Sequence, residues 1–302
     1  MSSEMQEDDG PSAKRIKLEK STDFRVWPII HPKYRKTTVP LTFYHALQLE
    51  DKTIIGEIID KLPPIKPDLS HLKRVGKDGW ILIDRGLEEA QFFLKYFEDP
   101  RLKIEDLKEV QVPWNKPITR AQFDFAKEHW PTSFHPDEKI EKLLDGSFVT
   151  DELRDYIFRW MYETVDNIKG CAVVKDGELK YKGSCAPERL GHAVMEMVGS
   201  LPIHHPTVKM ADYIGTGADV FLVNEPCSLC AMALVHFRID RVFFAYNSRN
   251  GVLKENGWQL HLERKLNHNY EVYRVEIPDE EVSTDPARPS SPRECTYLKP
   301  AR

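Results

Sequence analysis

Residues 51–62 carry Ile54, Ile55, Ile58 and Leu62 at helical spacing, with Asp51 as the N-cap and Pro63-Pro64 as the stop. Residues 38–47 read as a strand, 71–84 as a hairpin or strand ending in Trp80-Ile81-Leu82-Ile83, and 107–112 as a further strand. Residues 86–97 form a second amphipathic helix, with Leu87, Phe92, Phe93 and Tyr96 on one side. That β-α-β-α-β order predicts a small α+β domain over residues 23–112. Residues 113–150 mix prolines with aromatics (Trp114, Phe123, Phe125, Trp130, Phe134) and read as a linker, a hinge packed between domains.

Residues 151–167 form a stronger helix, with Leu153, Ile157, Trp160, Met161 and Val165 in phase. Strands are then expected at 171–174, 179–181, 219–223, 241–245 and 270–275, and helices at 192–200 and 227–237. Strands alternating with helices predict a layered α/β domain over residues 151–277. Residues 1–22 and 278–302 are polar and read as disordered tails.

Composition narrows the function classes. The chain has 302 residues, 41% of them hydrophobic, which is enough for two modest cores. Its formal net charge of -5 gives no bulk attraction to nucleic acid, so any RNA contact must use local basic patches. No apolar run approaches the roughly 20 residues of a membrane span, and the polar, acidic residues 1–10 do not resemble a secretory leader. An odd set of five cysteines, two of them in C-x-x-C, fits a metal site in a reducing compartment better than a disulfide framework. Lys14, Arg15, Lys17 and Lys20, following Pro11 in a polar tail, match a short nuclear import signal and predict an import receptor as a partner. That places the chain in the nucleus, with the cytoplasm as a second location.

The chemistry concentrates at two helix starts. One carries Gly191-His192-Ala193-Val194-Met195-Glu196, the other Pro226-Cys227-Ser228-Leu229-Cys230. Thiolates and imidazole are the donors zinc prefers, and C-x-x-C at a helix start turns both sulfurs toward one ion. Zinc deaminases of nucleobases carry H-x-E followed by P-C-x-x-C, where the Glu is the general acid/base. In this chain the ligand positions His192, Cys227 and Cys230 are intact, and Val194 stands where the Glu belongs. No catalytic residue is therefore predicted. Glu196 is no substitute, because it lies about 200° further around a regular helix.

On these motifs, with Asn224-Glu225-Pro226 before the first Cys and Ala231 to Arg238 after the second, residues 151–275 resemble the cytidine/deoxycytidylate deaminase superfamily, and the likeness to its tRNA adenosine deaminase branch covers most of residues 110–275. H-A-V in place of H-A-E is similar to the non-catalytic subunits of the eukaryotic heterodimeric tRNA-specific adenosine deaminases. The resemblance implies a cytidine-deaminase-like layered α/β domain holding Zn2+ at His192, Cys227 and Cys230. It also implies a catalytic deaminase subunit as heterodimer partner, and tRNA, edited from adenosine to inosine at the wobble position, as substrate. The amino-terminal domain is then expected to bind tRNA. Its basic clusters are Lys33, Arg35 and Lys36 beside Tyr34, and Lys73 and Arg74. The alternative is a zinc-stabilised RNA-binding scaffold with no deaminase partner.

Overall fold

A computed structural model describes residues 24–97, 102–187, 190–200 and 215–277. In chain order its elements are β1 (Arg25–Pro28), α1 (Pro32–Arg35), β2 (Leu41–Gln48), α2 (Ile55–Lys61), β3 (Trp80–Asp84), α3 (Leu87–Phe97), β4 (Leu107–Pro113), α4 (Arg120–His129), α5 (Glu138–Asp145) and α6 (Asp151–Tyr162). There follow β5 (Gly170–Lys175), β6 (Glu178–Ser184), α7 (Ala193–Gly199), β7 (Asp219–Asn224), α8 (Ser228–Phe237), β8 (Arg241–Tyr246) and β9 (Glu271–Glu276).

The larger sheet has the order β1-β9-β8-β7-β5-β6. Strands β7, β8 and β9 run parallel to one another, whereas β5, β6 and β1 pair antiparallel with their neighbours. The parallel centre explains the continuous apolar runs of β7 and β8, since such strands are covered on both faces. Val220, Leu222, Val242 and Phe244 pack toward α7 and α8. Phe221, Phe243 and Tyr273 face the other way, toward α6, and stack in a row with centroids 4.9 and 5.1 Å apart. The result is a three-layer sandwich of helix, sheet and helix. At one end of β7, Asp219 is held by Arg241 through two contacts of 2.6 Å and by the Tyr156 hydroxyl at 2.7 Å, tying α6 to the sheet.

The smaller sheet is antiparallel with the order β3-β2-β4. One face is covered by α2, the turn just before it and α3, through Ile54, Ile58, Ala90 and Leu94. The other is closed by Leu69, Leu72 and Trp130.

The structure departs from the sequence reading in four places. Residues 25–28, expected with the amino-terminal domain, form β1 and pair along β9 at the edge of the larger sheet. Buried His261 secures the chain there: its Nε2 donates to the Ile29 carbonyl at 2.9 Å, and burial pushes its pKa down to about 4, so the ring is neutral. Residues 113–150 contain two capped helices. The Thr119 hydroxyl accepts from Gln122 N and the Asp137 carboxylate from Lys139 N and Ile140 N. Trp130, read as part of a hinge, is 4% exposed and completes the small domain's core, its Nε1 donating to the Lys73 carbonyl at 2.7 Å. In 71–84 only the second half is a strand; Asp78 and Gly79 take positive φ just before it. Finally, the long helix ends as an α-helix at Tyr162, and residues 163–168 continue in a wider π turn. No helix among the described residues is long and apolar enough to cross a membrane. The basic segment 14–20 and Cys295 lie outside the described residues.

Phe243→Ala removes the middle ring of the stack and is expected to destabilise the protein by about 3–5 kcal/mol. Phe92→Ala, at a side chain 71% exposed, is expected to stay within about 0.5 kcal/mol. Urea unfolding of the two variants beside the parent checks both values.

Candidate metal centre

Helices α7 and α8 lie side by side on one face of the large sheet, and each begins at a candidate ligand. His192 is the N-cap of α7 and Cys227 the N-cap of α8, both in extended conformation. The close seat of α7 depends on Gly183 of β6, where a Cβ would run into the Ala193 carbonyl and the backbone of Met197. A side chain there would lift the helix start that carries His192.

His192 Nδ1 lies 3.2 Å from Cys230 Sγ and 3.4 Å from Cys227 Sγ. All three donor atoms fall within 4.8 Å of one another. Zinc bound tetrahedrally at about 2.0 Å from nitrogen and 2.3 Å from sulfur separates such donors by about 3.5 Å. The donor set therefore fits a tetrahedral metal ion in both chemistry and spacing.

Its electrostatics point the same way. A hydrogen bond from the Cys230 thiol, aided by the Cys230 backbone N–H, nearby His192 and the Leu229 backbone N–H, brings the Cys227 thiol down to about 5 against the opposing effect of burial. Cys227 is thus ready to serve as a thiolate. Cys171, wholly buried on β5, is pushed the other way by desolvation and is no candidate ligand.

Val194 is 3% exposed and belongs to the same buried apolar cluster as Ala193, Met197, Cys230 and Ala231. Glu196 is exposed. Sequence reasoning missed a second carboxylate near the centre, Glu225, which is 3% exposed and directly precedes Pro226-Cys227. It accepts from Leu253 N and Lys254 N at 2.8 Å and from Ser248 N at 3.2 Å. A Cβ at Gly251 would strike this carboxylate. Three backbone donors occupy it, so it is an anchor for the loop 247–256 and no free base. The only signal in the sequence was an acid beside the Pro-Cys motif.

The two basic clusters separate. Lys33, Arg35 and Lys36 lie on or just after α1; Lys36 is exposed, and the Lys33 ammonium sits 4.8 Å from the Tyr34 ring centroid. Arg35 donates to the Pro28 carbonyl at 2.9 Å and pairs with Glu255 at 2.5 Å. Lys73 is exposed. Arg74 corrects the expectation of a phosphate contact. Its guanidinium donates to the carbonyls of Leu82 at 2.9 Å, Ile83 at 3.3 Å and Pro63, a strut across the small domain that leaves little for an outside anion.

No protein-family model matches the chain. A Homo sapiens protein named "Probable inactive tRNA-specific adenosine deaminase-like protein 3" is 30% identical over 326 aligned positions, covering 86% of this chain and 91% of that protein. The Saccharomyces cerevisiae tRNA-specific adenosine deaminase subunit TAD3 is 38% identical over 258, covering 72% and 78%. The chain belongs to this family of tRNA-specific adenosine deaminase-like 3 and TAD3 proteins. Coverage is uneven within the family: the match to the Danio rerio member, 28% identical, spans 60% of that protein. Among solved structures, one from a study of A-to-I editing by tRNA:A34 deaminases superposes with a TM-score of 0.30 at 23% identity, covering 35% of this chain and 80% of that one. Several family members carry "inactive" in their names, and in this member the branched alkyl of Val194 offers no proton to transfer.

In the metal-free chain at pH 6, iodoacetamide is expected to modify Cys227 and to leave Cys171 untouched, with added zinc protecting Cys227; peptide mapping by mass spectrometry checks the order. Arg74→Ala is expected to cost about 2–3 kcal/mol through its unpaired carbonyls, whereas Lys73→Ala is near neutral. Thermal melts of the two variants distinguish strut from surface charge.

Proposed function

We propose that this chain is the catalytically silent, zinc-holding subunit of a heterodimer that converts adenosine to inosine at the tRNA wobble position. One observation carries the reading: a complete His192, Cys227, Cys230 donor set stands beside a valine at the position that a proton-transferring carboxylate would need. A zinc ion supplies an activated water in active members of this chemistry. Without general acid/base help the reaction loses roughly 10²–10⁴-fold, and Glu225 is already occupied by the backbone. Zinc in this chain then works as a cross-link that ties the starts of α7 and α8 together.

The chemistry falls to a partner subunit with an intact H-A-E. An apolar stripe on α8 supports a docking role: Leu229 is 41% exposed, with Met232 and Ala233 partly exposed at the next turn. Leu190, two residues before His192, is a further exposed apolar side chain at 62%. Lys36 and Lys73 are exposed and Lys33 is half-buried beside the Tyr34 ring; all three supply phosphate contacts for tRNA. The basic segment 14–20 is read as the nuclear import signal.

The purified chain is expected to form no inosine in a wobble-adenosine tRNA, and the chain plus its H-A-E partner to form it readily. Inosine from this chain alone overturns the reading; partner activity indifferent to this chain returns it to an RNA-binding scaffold. Met232→Glu is expected to weaken heterodimer formation at least about 10-fold, measured by sedimentation or co-elution.

A further inference from the structure

A cavity of about 340 Å³ opens at the edge of the large sheet, where β1 pairs with β9. That is within the range of small-ligand sites, roughly 300–1,000 Å³. Its wall is built from three separate pieces of chain. β1 contributes Trp27, whose indole is 44% exposed and sits directly across from Arg274 on β9. Arg35 enters from the end of α1. The loop 247–256 supplies Lys254 and two exposed side-chain amides, Asn247 and Asn256. This is the loop that Glu225 anchors and that forms the Cys227↔Gly251 bridge. One loop therefore connects the cavity to the candidate metal centre.

Charge limits what the cavity holds. Arg35 is paired with Glu255 at 2.5 Å, and Arg274 reaches Glu276 only at 3.8 Å. The Lys254 ammonium donates to the Ser248 carbonyl at 3.2 Å, and among the described residues it forms no ion pair. Three cations against two carboxylates leave one net positive charge. That suits a single phosphodiester and disfavours a di- or triphosphate. The Arg274 side chain is 40% exposed and lines the cavity, so its guanidinium is open to a phosphate there. The indole offers a stacking face to a base, and a carboxamide carries the donor and acceptor pair that a base edge requires.

We infer that this cavity binds one nucleotide, with its base stacked on Trp27 and its phosphate held by Lys254 and Arg274. The same chemistry comes from an unpaired nucleotide of an RNA strand or from a free nucleoside monophosphate; the single net charge favours the strand. Arg35, singled out from sequence as a nucleic-acid contact, then acts from inside a formed site. The inference needs only the isolated full chain and does not depend on the subunit reading.

The test is fluorescence anisotropy of the full chain with a labelled single-stranded RNA hexamer, with AMP as competitor. Trp27→Ala is expected to lower hexamer affinity roughly 10-fold, as loss of one stacked base does, and Trp27→Phe to stay within about 3-fold. Lys254→Gln, on a loop away from the sheet's pairing, is expected to weaken binding and to flatten its salt dependence. Thermal melts confirm that each variant is folded. Competition by AMP at similar concentration supports the site with the free nucleotide as its source. No hexamer or AMP binding, or folded Trp27→Ala and Lys254→Gln variants that bind like the parent, overturns the inference. Because no inosine is measured and no partner is present, failure here is distinct from failure of the heterodimer reading.

Discussion

Burying both faces of β7 and β8 is the constraint from which the rest of the large domain follows. Their apolar runs leave no face for water, so helices must lie on each side: α6 on one, α7 and α8 on the other. A strand leading into a helix on the same sheet turns at its carboxyl end. For β7 that turn is Glu225-Pro226-Cys227, so the packing rule itself delivers two sulfurs to one end of the sheet. Gly183 then lets α7 sit low enough for His192 to meet them.

A centre assembled in this way serves two separable purposes. The donors need only convergent helix starts, which bring His192, Cys227 and Cys230 within 4.8 Å of one another. Catalysis needs in addition an ionisable group at one buried position, and Val194 has filled that position with alkyl. The neighbouring acid, Glu225, is chemically capable yet structurally committed, since three backbone amides hold its oxygens. The centre thus brings a metal-donor set together while Val194 offers no proton to transfer, which agrees with the word inactive in the names of several family members.

Helices and strands with a strong period were legible in the sequence: the stretches at 51–62, 86–97, 219–223 and 227–237 each became the expected element, to within a few residues. What escaped had no local period to read. β1 is a four-residue edge strand whose partner lies almost 250 residues away at Glu271–Glu276. Helices α4 and α5 were masked by prolines that mark their boundaries rather than forbid them. Trp130 reads as a loop aromatic until the small sheet offers it a face to cover.

The candidate site divides along the same line. His192, Val194, Cys227 and Cys230 could be named from the sequence alone, because their chemistry is tied to a spacing within two short motifs, and the fold brings the three donors together. Charge on a residue carries no such information. Arg35, Lys73 and Arg74 look equivalent along the chain, and only tertiary packing made Arg74 a strut, left Lys73 in water and turned Arg35 into a cavity wall. Glu225 likewise became an anchor only when the loop 247–256 folded over it. A donor set is a property of residue types and their separation, while the availability of a charge depends on which distant backbone groups reach it first.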